Sequence, residues 1–135
     1  MILTSLTKYR EIGLLLLRVG LGVIFILHGW PLLLEGGKEW IKLGSAMRFL
    51  HVDMFLKWFG LAAVISEVGG GALMILGCLF RPACLLLAFT MTVATIMHFH
   101  KHDDFDLHTS HSLSMAIVFY CLLLIGPGKY SVDKQ

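Results

Sequence analysis

Glu67 is the one charged residue in a 23-residue apolar run, residues 58–80, that reads WFGLAAVISEVGGGALMILGCLF. As a helix the run extends roughly 35 Å at about 1.5 Å per residue, enough to cross a bilayer core of about 30 Å. A carboxylate in hydrocarbon costs on the order of 2.5–3.5 kcal/mol even on insertion scales, so it must face other helices, pair, or hold a proton. Arg18 and His28 in the first apolar run and His98 late in the third are positioned to meet it. Counted from the side that holds the termini, His28 stands roughly 24 Å up, Glu67 roughly 20 Å and His98 roughly 24 Å. Three helices thus bring ionisable groups to one layer, and His111, at the start of the fourth run, closes it from the far side. Arg18 lies only roughly 9 Å up, but its long side chain could reach towards Glu67.

Two kinds of behaviour follow from that layer. An Arg18–Glu67 ion pair would fix helix register and do no chemistry, the usual way charges survive in a membrane. A pocket made by Glu67, His28 and His98 would instead take up and release protons, since histidine changes charge near neutral pH. Proton exchange suits the redox chemistry of a carrier such as a quinone, in which each electron is matched by a proton. That reading requires the three side chains to share a face.

A second constellation follows at once, HFHKHDDFDLHTSH over residues 98–111. Imidazoles and carboxylates accept zinc, copper or iron, which makes His98, His100, His102, His108 and His111 weak candidates for metal ligands. The alternation of the first three at a spacing of two suits a strand or extended loop better than one helix face. No spacing matches a closed structural motif, and such a tract is a compositional signal, so a solvated polar loop is the ordinary reading and a proton entry route a third. Cys78, Cys84 and Cys121 form neither a CxxC pair nor a disulfide framework and read as small apolar packing residues.

The elements that hold these residues must be membrane spans. With 57% hydrophobic and 15% charged residues, and a mean hydropathy of +0.80, the 135-residue chain is too apolar for an ordinary soluble domain. The net charge of +2 is spread along the chain without a basic block, which gives nucleic-acid binding no support. Lys8 and Arg10 precede an apolar run as in a signal peptide, but that run carries Arg18 and is long for an h-region, so it reads as an uncleaved first span. The expected fold is all-α: one integral membrane domain over residues 1–135, a transmembrane four-helix up-and-down bundle with spans at about 12–34, 58–80, 82–100 and 111–126. Trp30-Pro31 and the glycines after Glu35 close the first span, Arg81-Pro82 turns the second into the third, and Gly126-Pro127-Gly128 ends the fourth. Residues 38–57 place Trp40, Leu43, Met47, Leu50 and Met54 at steps of three and four, which predicts an interfacial helix with one apolar stripe. Ala62, Ser66 and Gly70, four apart, predict a face for close helix approach, and residues 69–71 a loosened helix. Basic residues divide five against five between the two sides, and the lean is towards cytoplasmic termini.

Together these pieces resemble the DoxX family of small four-span membrane proteins. The resemblance runs from about Arg18 to Asp133. It is carried by RVGLGVIFILHG at residues 18–29, Glu67 with Gly69-Gly70, Leu76-Gly77 to Arg81-Pro82, His98, Ser110-His111, and GPGKYSVD at residues 126–133. It implies a four-helix membrane bundle in a bacterial-type inner membrane. The family takes its name from a subunit of thiosulfate:quinone oxidoreductase, and some relatives associate with complexes that oxidise thiols. By position the resemblance also implies Arg18, His28, Glu67, His98 and His111 as site residues that bind the carrier; the proton-exchanging pocket reading makes Glu67, His28 and His98 the catalytic ones. The connector loaded with His100, His102 and His108 departs from the family pattern.

The leading expectation is therefore a quinone-linked subunit in thiol or sulfur-compound redox chemistry, in which Arg18 tunes Glu67. No haem, flavin or iron–sulfur motif is present, so an oxidoreductase partner, or the substrate itself, must bring the hard chemistry. A membrane scaffold that anchors soluble oxidoreductases through residues 38–57 is the alternative, with a small-solute or proton conduit third. The lipid bilayer is the expected surrounding, and a homo-oligomer is compatible with all three.

Overall fold

Buried positions at steps of three and four set the inner face of each span. The structure, a computed structural model, describes residues 3–102 and 105–133, apart from the side chain of His102. Its helices are α1 (Arg10–Glu35), α2 (Gly37–Gly44), α3 (Leu56–Leu76), α4 (Phe80–His102) and α5 (Leu107–Ile125), with 3-10 turns at Thr4–Tyr9 and Ser45–Leu50. α1 buries Leu14, Arg18, Gly22, Phe25 and Gly29, and α3 buries Gly60, Val64, Glu67, Gly71 and Met74. The opposite faces stay apolar yet open, as at Leu124, which is 80% exposed. Such a surface suits lipid rather than water. Four helices, α1, α3, α4 and α5, are long and apolar enough to cross a membrane, and no strand occurs among the described residues. The fold is the all-α transmembrane bundle that the sequence predicts.

α3 is the central element, packed on α1, α2 and α4, while α5 lies along α4. An edge contact between Phe25 and Phe119, with ring centroids 5.0 Å apart, joins α1 to α5 and closes the bundle. Met74, Phe80, Cys84, Leu87 and Leu122 fill the core near the terminal side. α2 meets α3 backbone to backbone, because a Cβ on Gly60 would overlap the Trp40 carbonyl and one on Gly44 the Leu56 carbonyl. The Trp40 indole N–H donates to the Leu32 carbonyl at 3.0 Å and pins α2 onto the end of α1.

Several boundaries fall elsewhere than the sequence suggests, each for a local reason. α1 continues through Pro31 and stops at Gly36, where φ is +84°. α3 ends at Leu76 and not at Phe80, because Gly77 takes the left-handed conformation at φ +65°. The N–H of Cys78 then bonds the Leu73 carbonyl and that of Gly77 the Met74 carbonyl, the paired bonds of a glycine C-cap. Arg81-Pro82 is therefore not the turn; it lies in the first turn of α4, where proline's missing N–H is harmless. Residues 69–71 do not loosen α3, which is helical throughout. The stripe over residues 38–57 is cut short: α2 has eight residues, His51 and Phe55 have positive φ, and Leu50 and Met54 are exposed.

Candidate functional site

A helix end inside a bilayer must find partners for its last carbonyls, because no water is there to take them. At the end of α3 the Leu73 and Met74 carbonyls are met by the glycine cap, and Arg18 supplies much of the rest. Its Nε donates to Met74 O at 3.1 Å, Nη2 to Ile75 O at 3.1 Å, and Nη1 to Pro127 O at 2.6 Å and Tyr130 O at 2.9 Å. The Leu76 carbonyl accepts from Val132 N–H. The Asp133 carboxylate accepts from the N–H groups of Leu79 and Phe80 and caps the start of α4. Arg18 is 1% exposed and spends four of its five N–H donors at this end of the bundle. The expected Arg18–Glu67 pair does not form: the guanidinium is committed to carbonyls at the negative end of the α3 dipole.

Glu67 sits 11 residues into α3, roughly 16 Å from its start and near mid-helix. It is buried, and its Oε2 has no hydrogen-bond partner among the described residues. Gly29 of α1 makes the room, since a Cβ there would press on Val68 and Glu67. One turn position away, His28 Nε2 lies 3.9 Å from Glu67 Oε2. That is electrostatic contact, longer than a hydrogen bond. The His28 side chain is 67% exposed, so it links the buried carboxyl to the outside of α1.

On its other flank Glu67 lines a cleft of about 160 Å³ between α3 and α4, closed at one end by Gly44 and Met47. Phe59, Leu86 and Phe89 line it and are themselves exposed, so the cleft opens sideways on the face that meets lipid. Its space comes from small residues: Ala62, Ala63 and Ser66 on α3 face Ala94 on α4. The stripe of Ala62, Ser66 and Gly70 is thus a packing face only at Gly70, which meets Leu87; its other two members make the cleft wall. Thr90 also lines the cleft and was not singled out by the sequence, although it is a polar position in an apolar span.

The histidines divide. His28 reaches Glu67, whereas His98 turns to α5 and stacks on His108 with ring centroids 5.6 Å apart. The expected three-residue pocket of Glu67, His28 and His98 is therefore not assembled. His98, His100 and His102 lie on α4 and not on an extended loop, and a spacing of two on a helix sends neighbours to opposite sides. His100 accordingly turns away from His98, with its ring 5.2 Å from that of Phe49. His111 is exposed in the first turns of α5 and does not close the Glu67 layer. Among the described residues no three His, Cys, Asp or Glu side chains converge as a metal site; residues 103 and 104 and the His102 side chain lie outside them. Asp106 instead caps α5, its Oδ1 accepting from Thr109 N–H at 2.8 Å. The Asp-x-x-Thr spacing carried that signal. Cys84 is buried in the core and Cys121 exposed, and all three cysteines are free.

Comparison with known proteins agrees with this architecture. The chain is 29% identical over 136 aligned residues to the inner membrane protein YphA of Escherichia coli K12, covering 93% of this chain and 91% of that one. It is 24% identical to the inner membrane protein YqjF of the same organism, covering 94% of each. No solved structure matches it. The DoxX family model matches residues 13–101, from the first turn of α1 to the end of α4, and includes Arg18, His28, Glu67 and the whole cleft. The chain is a multi-pass integral membrane protein and belongs to the DoxX family.

Proposed function

We propose that this chain is the membrane-embedded subunit that holds a quinone for an oxidoreductase assembly, with the ring in the α3–α4 cleft. The observation that carries the reading is the cleft itself: apolar, open towards lipid, and holding among the described residues one ionisable group, Glu67. Its volume of about 160 Å³ fits a ring, since an apolar cavity of roughly 150 Å³ takes a single aromatic ring. A lipophilic carrier enters such a site from the membrane, its tail remaining among the lipid chains. When bound, a quinone supplies carrier chemistry for electrons and protons. The walls exclude water, Glu67 holds or releases a proton at its carboxyl oxygens, and His28 connects that carboxyl to the exposed side of α1. Arg18 acts through the fold and does not tune Glu67. A partner oxidoreductase supplies the electrons, and any thiol or sulfur-compound chemistry belongs to that partner. Cytoplasmic termini remain part of the proposal, and an even number of spans puts both ends on one side.

The scaffold reading relies on the face of residues 38–57, and the packing of Trp40 and Leu43 towards the bundle removes much of that face. The test is equilibrium binding of a short-chain carrier, as its quinol and as its quinone, to the purified protein in mild detergent, with Glu67→Gln and His28→Ala alongside wild type. Saturable binding is expected, with quinol affinity weakened about tenfold in Glu67→Gln and less in His28→Ala. No saturable binding of either form by a folded wild type would refute the carrier site.

A further inference from the structure

The hydrogen-bonding character of the cleft is one-sided. Three polar side chains line it: Ser66, Glu67 and Thr90. A hydroxyl has one hydrogen to donate and two lone pairs to accept with. Ser66 Oγ spends its hydrogen on the Ala62 carbonyl at 2.7 Å, and Thr90 Oγ1 spends its own on the Leu86 carbonyl at 2.9 Å. Neither hydroxyl then has a hydrogen left to donate, and towards a ligand each can only accept. This back-bonding is how serine and threonine settle in a helix whose surroundings lack water. Glu67, once its proton is released, adds only acceptor oxygens, and Oε2 has no hydrogen-bond partner among the described residues. Among the described residues no Lys, Arg, His, Trp or Tyr side chain lines the cleft to supply a donor.

We infer that the cleft selects a ring that carries hydroxyl hydrogens, binding the quinol form of a carrier in preference to the quinone form. The inference rests on the proposal that the cleft binds such a carrier at all, and adds which form it favours. A quinol presents two O–H donors to walls made of acceptors. A quinone presents two carbonyl acceptors, which meet Ser66 and Thr90 oxygen to oxygen and leave polar groups desolvated without partners. The discrimination is of the kind that buried polar groups give when an analogue lacks the matching hydrogen.

The test compares three probes on the full chain in mild detergent under anaerobic conditions: a short-chain quinol, its quinone, and the quinol's dimethyl ether, which keeps the oxygens and loses the hydrogens. The quinol is expected to bind about tenfold more tightly than either of the others. Thr90→Val, which keeps the shape, and Ser66→Ala are each expected to reduce quinol affinity several-fold without reducing quinone affinity. Thr90→Ser, which keeps the hydroxyl, is expected to retain the preference. Equal or tighter binding of the quinone would overturn the inference while the carrier site stood. A preference that survives the Ser66→Ala, Thr90→Val double variant would overturn it too, since the selection would then come from elsewhere. Failure of all three probes to bind a folded protein would overturn both the carrier site and the inference.

Discussion

Arg18 and Glu67 are both ionisable side chains buried in apolar spans, and their surroundings are opposites. Arg18 makes four hydrogen bonds to backbone carbonyls and ties the end of α3 to the segment after α5. Glu67 leaves an oxygen without a hydrogen bond among the described residues and borders open space. A charge with four of its five N–H donors committed to carbonyls has little left for a ligand; its value lies in holding helices together. A carboxyl set beside a cavity at mid-helix has the reverse profile, costly to the fold and available to something that enters. The charge on a membrane helix therefore does not by itself mark a site; what distinguishes the two residues is whether the fold has already used their hydrogen-bonding capacity.

Substitutions can break that contrast. Arg18→Met should show the largest loss of stability, on the order of 3–5 kcal/mol, because it strips donors from carbonyls buried at the α3 end. Thermal unfolding in mild detergent checks it, and Arg18→Lys should recover only part, since an ammonium cannot reproduce the planar fork. An Arg18→Met protein that stays stable but loses ligand binding would exchange the roles of the two residues. Gly60→Val drives a side chain into the Trp40 carbonyl and should cost about 1–3 kcal/mol by the same measurement, loosening α2 from α3 and with it one end of the cleft. Asp133→Ala removes the cap on α4 and should cost about 1 kcal/mol, leaving binding intact. Glu67→Gln is expected to leave stability within about 0.5 kcal/mol or raise it, because a neutral amide is cheaper than a carboxylate in hydrocarbon. The smallest effect on stability, also within about 0.5 kcal/mol, is expected for His28→Ala, whose side chain is largely exposed.

Much of the layout could be read from the sequence, since run length and charge placement decide what crosses a bilayer. Four spans, the depth of Glu67 and the family all follow from residues in order. Rotation about the helix axis is what counting depth leaves out. Counting depth puts His28, Glu67 and His98 in one layer, but His98 points at α5 and stacks on His108, so equal depth does not bring it to Glu67. Arg18 failed for another reason: its partners are carbonyls, two of them 109 and 112 residues away, and a carbonyl leaves no mark in a sequence. The end of α3 was legible at Gly77, but the attraction of Pro82 as a helix start drew the boundary four residues too far. The cleft needs small residues from α3 and α4 brought face to face, which the periodicity of one helix cannot reveal.

The central claim is that the α3–α4 cleft beside Glu67 takes a ligand that the Arg18 end does not. Equilibrium binding of a short-chain quinol and quinone to an Ala94→Leu variant, in parallel with its thermal unfolding, tests this most directly because the added side chain fills the cleft. The account predicts that binding falls at least tenfold while the unfolding midpoint stays near that of wild type. Wild-type affinity in a protein whose cleft is filled would contradict it.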